Sequence, residues 1–425
     1  MKHIAPTSIF FFVLMILLLG SCTRAEDERA GVTWQKIEKG LQIQLLQANA
    51  GDTIRLDEGF FWFTRSVLLE GKENLVIIGA GIDKTVLSFK GQEEGAEGIK
   101  ISNCRNISLI DLTVEDAKGD DIKVTETNGI YFRRVKASWT GGAKESNGAY
   151  GFYPVLCKNV LVEDCVSMGA SDAGIYVGQS DTVIIRRNTV FENVAGIESE
   201  NSKVVDIYEN HTYNNTGGIL VFDLPGLTQS GRQTRIFNNN IEENNHPNFA
   251  PKGNIVGVVP AGTGILILAS RDIEIFKNRI VNNRTTSTGI ISWKLVLGMG
   301  GDEHSANTQA SVAGHNEAAK KDTLYDPYPE NIWMHDNEMS NKYWMPSIKS
   351  DFGMLLAVKR FWRTPDILFD GFVNPKSAKG LRLCLQQKNT FVNIDAANDL
   401  KNMSSDITPY QCGATVMTPV ILREP

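Results

Sequence analysis

The stretch SDAGIYVGQSDTVIIRRNTVFENVAGIESENS, residues 171–202, carries one pattern twice. Gly174 and Gly196 lie 22 residues apart, and so do Asn188 and Asn210. A fixed period of this length is typical of proteins whose repeats stack on one another. The chain of 425 residues is therefore interpreted as one elongated domain rather than several compact ones.

Within each repeat, apolar residues alternate with other residues, as in Val183 and Ile185 and again in Val205 and Ile207. Such runs between Gly and Asn residues predict short strands. Three strands in about 22 residues form one coil of a parallel β-helix, in which each strand pairs with its equivalent ~4.8 Å away. We predict an all-β fold, a right-handed parallel β-helix. Its equivalent strands are expected to begin at Ile99, Ile122, Phe152, Ile175, Ile197, Ile219, Ile265 and Ile290.

The repeated asparagines are expected to stack inside a bend of the coil. Burying a polar side chain is unfavourable unless it is hydrogen-bonded. If Asn188, Asn210 and a residue near Asn238 or Asn240 lie in register, each amide can bond to the next. The same column places Cys165 in the core as an inert thiol.

Both ends of a solenoid need a cover, because open strand edges invite aggregation. Apolar residues from Trp34 to Ala48 follow helical spacing and predict an amphipathic cap helix, with Ile37, Leu41 and Leu45 on its inner face. The predicted organisation is a signal peptide over 1–21, a linker and cap helix over 22–50, the β-helix with its loop insertions over 51–371, and a C-terminal cap over 372–425.

The N-terminus predicts export and lipid anchoring. Lys2 precedes an apolar run that ends in Leu19-Gly20-Ser21-Cys22, which resembles a bacterial lipobox. We expect Cys22 to be acylated, since several acyl chains anchor a protein stably. Thr23 in the following position favours the outer membrane, so the predicted location is the cell envelope.

Charge and cysteine content narrow the functional classes. The formal net charge of −6 gives no basic footprint for nucleic acid. Cys384 and Cys412 are expected to form a disulfide in the C-terminal region, because the predicted compartment permits one. Cys104 and Cys157 lie in no metal-ligand spacing, so no metal site is assigned to cysteine.

Loops interrupt the repeat at four places, each beside a strand of the Gly-Ile column. Extra residues occupy 140–149, 224–231, 246–263 and 299–330. The strands of this column would therefore floor a groove walled by loops. The last loop is rich in Gly, Ala, Asn and charge, so we expect a disordered loop, with a lid as the alternative.

On this floor, the residues beside the inward isoleucines should point outward, and their types suit a sugar. The predicted catalytic residues are Glu198, Lys123 and Asp172. The predicted substrate-binding residues are Tyr153, Tyr176, Gln179, Glu200 and Asp223. A solvated β-helix surface would account for the same residue types, so this second interpretation stays open.

Two kinds of chemistry fit these residues. Hydrolysis needs two carboxyls ~5 to ~9.5 Å apart, which Glu198 and Glu200 could supply from one strand. Elimination or epimerisation of a uronate needs a base and a cation, for which Lys123 is a candidate. No cofactor is assigned, although Asp120, Asp121 and Asp172 could hold Ca²⁺ through oxygen ligands.

Residues 147–267, with NGAYGFYPVLCKNVLVEDC, SDAGIYVGQS, NVAGIESENS, NTGGILVFDLP and NFAPKGNIVGVVPAGTGILI, resemble a bacterial family of exported parallel β-helix repeat proteins, many of them lipoproteins. More distantly, they are similar to the β-helix repeats of pectate lyases and alginate epimerases. The closer resemblance assigns no catalytic residue. It implies either an enzyme or binder of a polysaccharide or oligosaccharide, or a non-catalytic scaffold that docks another exported protein through loops 224–231 and 246–263.

Overall fold

The computed structural model describes residues 31–299, 306–348, 351–360, 364–377, 382–413 and 416–422. The predicted signal peptide and Cys22 lie outside these ranges. Residues Gln35–Pro425 form one compact unit, and Met1–Trp34, described from residue 31, form another. Among the described residues, no helix combines the length and apolarity needed to cross a bilayer.

Three parallel columns of strands build the larger unit. The first sheet contains the Gly-Ile strands and consists of eleven stacked strands. These strands are Arg65–Glu70, Glu94–Ser102, Ile122–Thr125, Tyr150–Val155, Ala173–Gly178, Ala195–Glu200, Gly217–Phe222, Thr263–Leu268, Thr286–Ile291, Ile367–Phe369 and Phe391–Asn393.

The second and third columns are joined, because two long strands, Arg105–Glu115 and Asn128–Ser138, bend from one column into the other. The other strands of the second column are Thr53–Arg55, Glu73–Ile78, Lys158–Glu163, Asp181–Arg186, Lys203–Tyr208, Arg232–Phe237, Arg271–Phe276, Glu330–His335 and Leu383–Gln386. The other strands of the third column are Gly59–Trp62, Thr85–Ser88, Val166–Met168, Thr189–Phe191, His211–Tyr213, Asn240–Glu242, Arg279–Val281 and Glu338–Ser340, and a strand Trp34–Gln35 precedes them in the chain.

The predicted register of the first sheet holds over most of its length. Ile175 pairs with Ile197, and Ile197 pairs with Ile219, so these side chains stack in the core. The expected alignment of Ile290 is wrong by two residues. Ile265 pairs with Thr288, and Ile290 lies beside Ile267. The inward position next to Ile265 is thus taken by a buried threonine, which the search for apolar residues passed over.

Two asparagine ladders run along the bends. In the first, Nδ2 of Asn188 donates to Oδ1 of Asn210 over 2.9 Å, and Asn210 donates likewise to Asn239 over 3.0 Å. The ladder continues through Asn278 to Asn337. A second ladder contains Asn193, Asn215, Asn244 and Asn283. Each buried amide is therefore satisfied by its neighbour, as the repeat predicts.

The cap helix and the disulfide form where they are predicted, but Trp34 and the end of the solenoid differ from the prediction. Helix α1, Glu38–Gln47, buries Leu41 and Leu45, but Trp34 lies in a short strand outside the helix. Cys384 and Cys412 form a disulfide, whereas the other described cysteines are free and buried. Paired strands continue to Asn393, so the solenoid extends beyond the predicted boundary at residue 371.

A helix occupies the largest insertion, where disorder was expected. Helix α2 is Trp293–Met299, helix α3 is Ala306–Lys321 and helix α4, further along, is Asp351–Arg360. The expectation of a disordered loop is therefore wrong for α3, whose Val312 is fully buried in one apolar cluster with Val256 and Trp293. Short 3₁₀ turns lie at Ile255–Val258, Ala396–Asn398 and Thr408–Tyr410.

The end of the chain returns to the middle of the solenoid. The backbone N–H of Val420 donates to Oδ2 of Asp206 over 3.1 Å, and that of Met417 donates to Oε2 of Glu274 over 3.0 Å. Val420 also belongs to a buried cluster with Leu161 and Ile184 on the outer face of the second column. Residues 416–422 therefore form a strap across coils that are distant in sequence.

Replacing Asn210 by Ala should strongly destabilise the fold. The change leaves the backbone N–H and Nδ2 of Asn188 without their acceptor in a buried environment. Because each buried unsatisfied group costs ~1–3 kcal/mol, we expect the free energy of unfolding to fall by at least about 2 kcal/mol in urea titrations. Asn49→Ala is the control, since that side chain is exposed. Equal stability of the two variants would contradict the ladder's role.

Candidate functional site

Four of the eight predicted site residues lie in one row on the outer face of the first sheet. Tyr153 pairs in register with Lys123, and Tyr176 pairs with Glu198, which in turn pairs with Leu220. These residues alternate with the inward isoleucines, because successive side chains of a strand face opposite sides. The row runs along the solenoid axis.

Three tyrosine rings form the centre of this surface. Tyr150 stacks on Tyr153 with ring centroids 4.3 Å apart and an angle of 5° between the planes. Tyr176 is tilted against both, at 4.7 Å from Tyr150 and 4.9 Å from Tyr153. Tyr150 and Tyr153 are partly exposed, whereas Tyr176 is buried. Sequence reasoning missed Tyr150, because strict alternation along the strand assigns a residue three positions from Tyr153 to the opposite face.

Three carboxyl groups lie behind the rings. Tyr150 donates its hydroxyl to Oδ2 of Asp172 over 3.2 Å, and Tyr176 donates to Oε1 of Glu200 over 2.8 Å. Glu198 is 1% exposed, and its Oε2 is buried without a hydrogen-bond partner. An unpartnered buried carboxylate is costly, so this group favours its protonated form.

The charges of this cluster interact. Burial raises the pKa of Glu200 to about 7 against its hydrogen bond from Tyr176. Burial, and next the charge of Glu200, raises the pKa of Asp172 to about 7. Burial, and next the charges of Asp172 and Glu200, raises the pKa of Glu198 well above its ordinary value. The cluster therefore retains protons near neutral pH.

Lys123 lies at the open side of the tyrosines and is already paired. Its Nζ is 3.3 Å from Oε1 of Glu97 and 3.5 Å from Oδ2 of Asp120. It also lies 5.1 Å from the centroid of the Tyr153 ring. The structure thus places Lys123 beside the aromatic surface and pairs it with carboxyls other than those of the cluster.

Two of the predicted substrate-binding residues, Gln179 and Asp223, are held by hydrogen bonds to loop 224–231. Gln179 occupies the turn after its strand with a left-handed φ of 48°, and its Oε1 accepts from the N–H and the hydroxyl of Thr228. Asp223 is fully buried and accepts from the N–H of Gly231 over 2.8 Å. These contacts differ from the expected outward positions, because loop 224–231 folds back onto both residues.

The three aspartates considered for calcium have separate partners. Asp120 pairs with Lys123, and the fully buried Asp121 accepts from the N–H of Ala117 over 3.1 Å. Asp172 instead bonds to Tyr150. Within the described part of the chain, no three His, Cys, Asp or Glu residues are arranged to hold a metal ion. Calcium binding by these aspartates stays a prediction.

An apolar cover lies over the rest of the first sheet. Leu220 and Leu266 on the sheet pack with Val256, Val259 and Trp293 from the insertions in one buried cluster. A small cavity of about 30 Å³, lined mainly by apolar side chains, remains in this region. The predicted groove is therefore open on one half of the sheet and filled by the chain itself on the other.

The cover also contacts the carboxyl cluster. Asn254 donates from Nδ2 to Oδ2 of Asp172 over 3.0 Å, across 82 residues of sequence. In loop 224–231, Gln229 donates to the backbone oxygens of Ser180 and Asn201. Both loops predicted as a partner surface are thus engaged within the chain, and the docking of another exported protein stays a prediction.

Comparisons with known proteins agree with this architecture. Residues 66–226 match the family model described as right handed beta helix region, which confirms the predicted fold class. A comparison with curated proteins gives no match.

Several solved structures are similar at low identity. The A-module of a mannuronan C-5 epimerase from Azotobacter vinelandii shares 13% identity, with 80% of this chain and 88% of that chain covered and a TM-score of 0.48. The DFA-IIIase from Arthrobacter chlorophenolicus without its lid shares 9%, with 80% and 90% covered and a TM-score of 0.46. An N-terminal fragment of bacteriophage phi29 gene product 12 shares 13%, with 78% and 60% covered and a TM-score of 0.44. These values are too low to carry any chemistry over to this chain.

Replacing Glu200 by Gln should stabilise the protein at high pH. The raised pKa means that the folded chain keeps a proton that the unfolded chain releases, so this group lowers the free energy of unfolding as the pH rises from about 4.5 to about 7. We expect the variant to match the wild type near pH 4.5 and to exceed it at pH 8 by on the order of 1–2 kcal/mol.

Urea unfolding at both pH values measures this difference. Glu145→Gln is the control, because Glu145 is exposed in a turn. A Glu200→Gln protein whose stability depends on pH as the wild type's does would show that Glu200 is not the titrating group.

Proposed function

We propose that the chain is an enzyme that cleaves a glycan at the carboxyl cluster on the outer face of the first sheet. The observation that carries this proposal is the position of the buried Glu198 and Asp172 and the partly buried Glu200 beside a tyrosine surface, with the pKa of all three carboxyls raised. Perturbed carboxyls next to a binding surface are typical of functional sites.

The tyrosines suit the binding of a sugar ring. The partly exposed Tyr150 and Tyr153 offer apolar ring atoms, against which the C–H face of a sugar can pack. The neighbouring Lys123, Glu97 and Asp120 offer donors and acceptors for hydroxyl groups. Apolar surface with a few oriented polar groups is the usual composition of a small-ligand site.

The carboxyls suit acid–base catalysis. Mutual repulsion and burial keep at least one proton in the cluster near pH 7, so one carboxyl can donate a proton while another accepts one. We assign Glu198 as the acid, because its pKa is raised well above the ordinary value and its Oε2 has no partner. Glu200 or Asp172 would act as the base or nucleophile.

Hydrolysis is the reaction that this arrangement favours. Glu198 and Glu200 are two residues apart on one strand, a spacing of ~6.6 Å between their Cα atoms by strand rise, and paired carboxyls at ~5 to ~9.5 Å hydrolyse glycosidic bonds. Elimination would need a free cation beside the sugar carboxylate, whereas Lys123 is paired with Glu97 and Asp120.

Access to the carboxyls requires a movement of the cover. Asp172 and Glu198 are buried, and Asn254 lies against Asp172. The part of segment 246–262 near Asn254 would therefore move aside when a sugar enters. Its closed position excludes water from the cluster, which strengthens the electrostatic effects there.

Replacing Glu198 by Gln should reduce glycan cleavage by at least about 100-fold, the usual contribution of general acid–base catalysis. New reducing ends and the absorbance of unsaturated products are measured on a panel of neutral and uronate oligosaccharides, so that hydrolysis and elimination are separated. Glu145→Gln serves as the matched control and should keep the wild-type rate. A Glu198→Gln protein with the wild-type rate, or a wild type inactive on the whole panel, would refute the proposal.

We further propose that the chain is exported and anchored in the cell envelope through an acylated Cys22. The lipobox-like residues 19–22 support this, and a disulfide such as Cys384–Cys412 suits an oxidising compartment. Mass spectrometry of the N-terminal peptide should find a lipid on Cys22, and Cys22→Ser should release the protein from the membrane fraction. An unmodified Cys22 in membrane-bound protein would contradict the anchor.

A further inference from the structure

The outer face of the first sheet changes from open to covered within a few coils. Leu68, near the start of the row, is 50% exposed, and the side chain of Lys123 is 27% exposed. Leu220 is fully buried, and Leu266 is 5% exposed. Glu198 stands between these halves, because its partners in register are Tyr176 on one side and Leu220 on the other.

The cover is seated directly on the strands beyond Glu198. A Cβ atom added at Gly217 would lie 3.2 Å from Cγ1 of Val259, so the two chain segments are in close contact there. Val256 and Trp293 are fully buried in the same cluster. Removing this apolar cover would expose Leu220 to water, whereas the contact of Asn254 with Asp172 is a polar one that water can replace.

We propose that the site binds the end of a glycan chain and releases small products from that end. This inference rests on the proposed function. The open half spans four strands, from Arg65–Glu70 to Tyr150–Val155, or ~14 Å along the axis at ~4.8 Å per strand. The terminal sugar of a glycan bound on this half would lie at the carboxyls. The cover would prevent the chain from extending beyond them.

Cleavage within a chain requires a floor on both sides of the carboxyls. Beyond Glu198 the floor positions are Leu220 and Leu266, and both are occupied by packing against the insertions. A sugar would have to displace that packing before it could lie there. The covered coils therefore make the site specific for a chain end. Glu198 and its neighbouring carboxyls carry out the cleavage.

The test uses the full chain and a size-defined series of the oligosaccharide that it cleaves, blocked at the reducing end in one set and at the non-reducing end in another. Terminal action gives one small product from the first time points and fails completely on one of the two blocked sets. A broad mixture of intermediate sizes from both sets would overturn the inference while leaving the proposed function intact. No cleavage of any substrate would overturn both.

A variant on the open half gives an independent readout. Lys100 lies beside Lys123 on the row, and Lys100→Trp would obstruct the open floor away from the carboxyls. We expect KM to rise at least fivefold for long oligosaccharides and to stay within twofold for the shortest substrate. Lys90→Trp is the control, because Lys90 is exposed in a turn. An equal rise in KM for all lengths would contradict terminal binding along this half.

Discussion

The asparagine ladders are the constraint on which the coil depends. Each asparagine of a ladder must lie directly above the previous one so that the two buried amides can bond, whatever the number of residues between them. Between Asn188 and Asn210 the separation is 22 residues, but it grows to 39 between Asn239 and Asn278 and to 59 from there to Asn337. Since the rungs cannot shift without leaving buried amides unpaired, the extra residues leave the coil as insertions.

Those insertions make the surface specific. A bare β-helix would present its first sheet as a uniform strip. Here the segments at 246–262 and around Trp293 bury one half of that strip and leave the other to solvent. The border falls where Tyr176, Glu198 and Leu220 adjoin, so carboxyls are withdrawn from water without being moved off a rigid strand. Burial, not a special sequence motif, is what perturbs them.

The sequence was informative where structure is set by local alternation and much less so where it is set by distant contacts. Ile197 and Glu198 could be assigned to opposite faces because a strand alternates strictly. Asn254 could not be assigned to the site, since its contact with Asp172 spans 82 residues and follows no period. Gln179 is predicted to bind substrate from a strand end, whereas a left-handed turn and a hydrogen bond from the later Thr228 direct its side chain to a loop. Helix α3 was not predicted, because its polar composition resembles that of a disordered segment.

The strap at residues 416–422 changes how such a solenoid should come apart. In a one-dimensional stack each coil is held by its neighbours, so terminal coils can fray one at a time. The bond from Val420 to Asp206 links positions 214 residues apart. Detaching residues 416–422 therefore also destabilises a central coil. The central coils in turn hold residues 416–422 in place. Residues 416–422 and the central coils should therefore unfold together rather than one coil at a time.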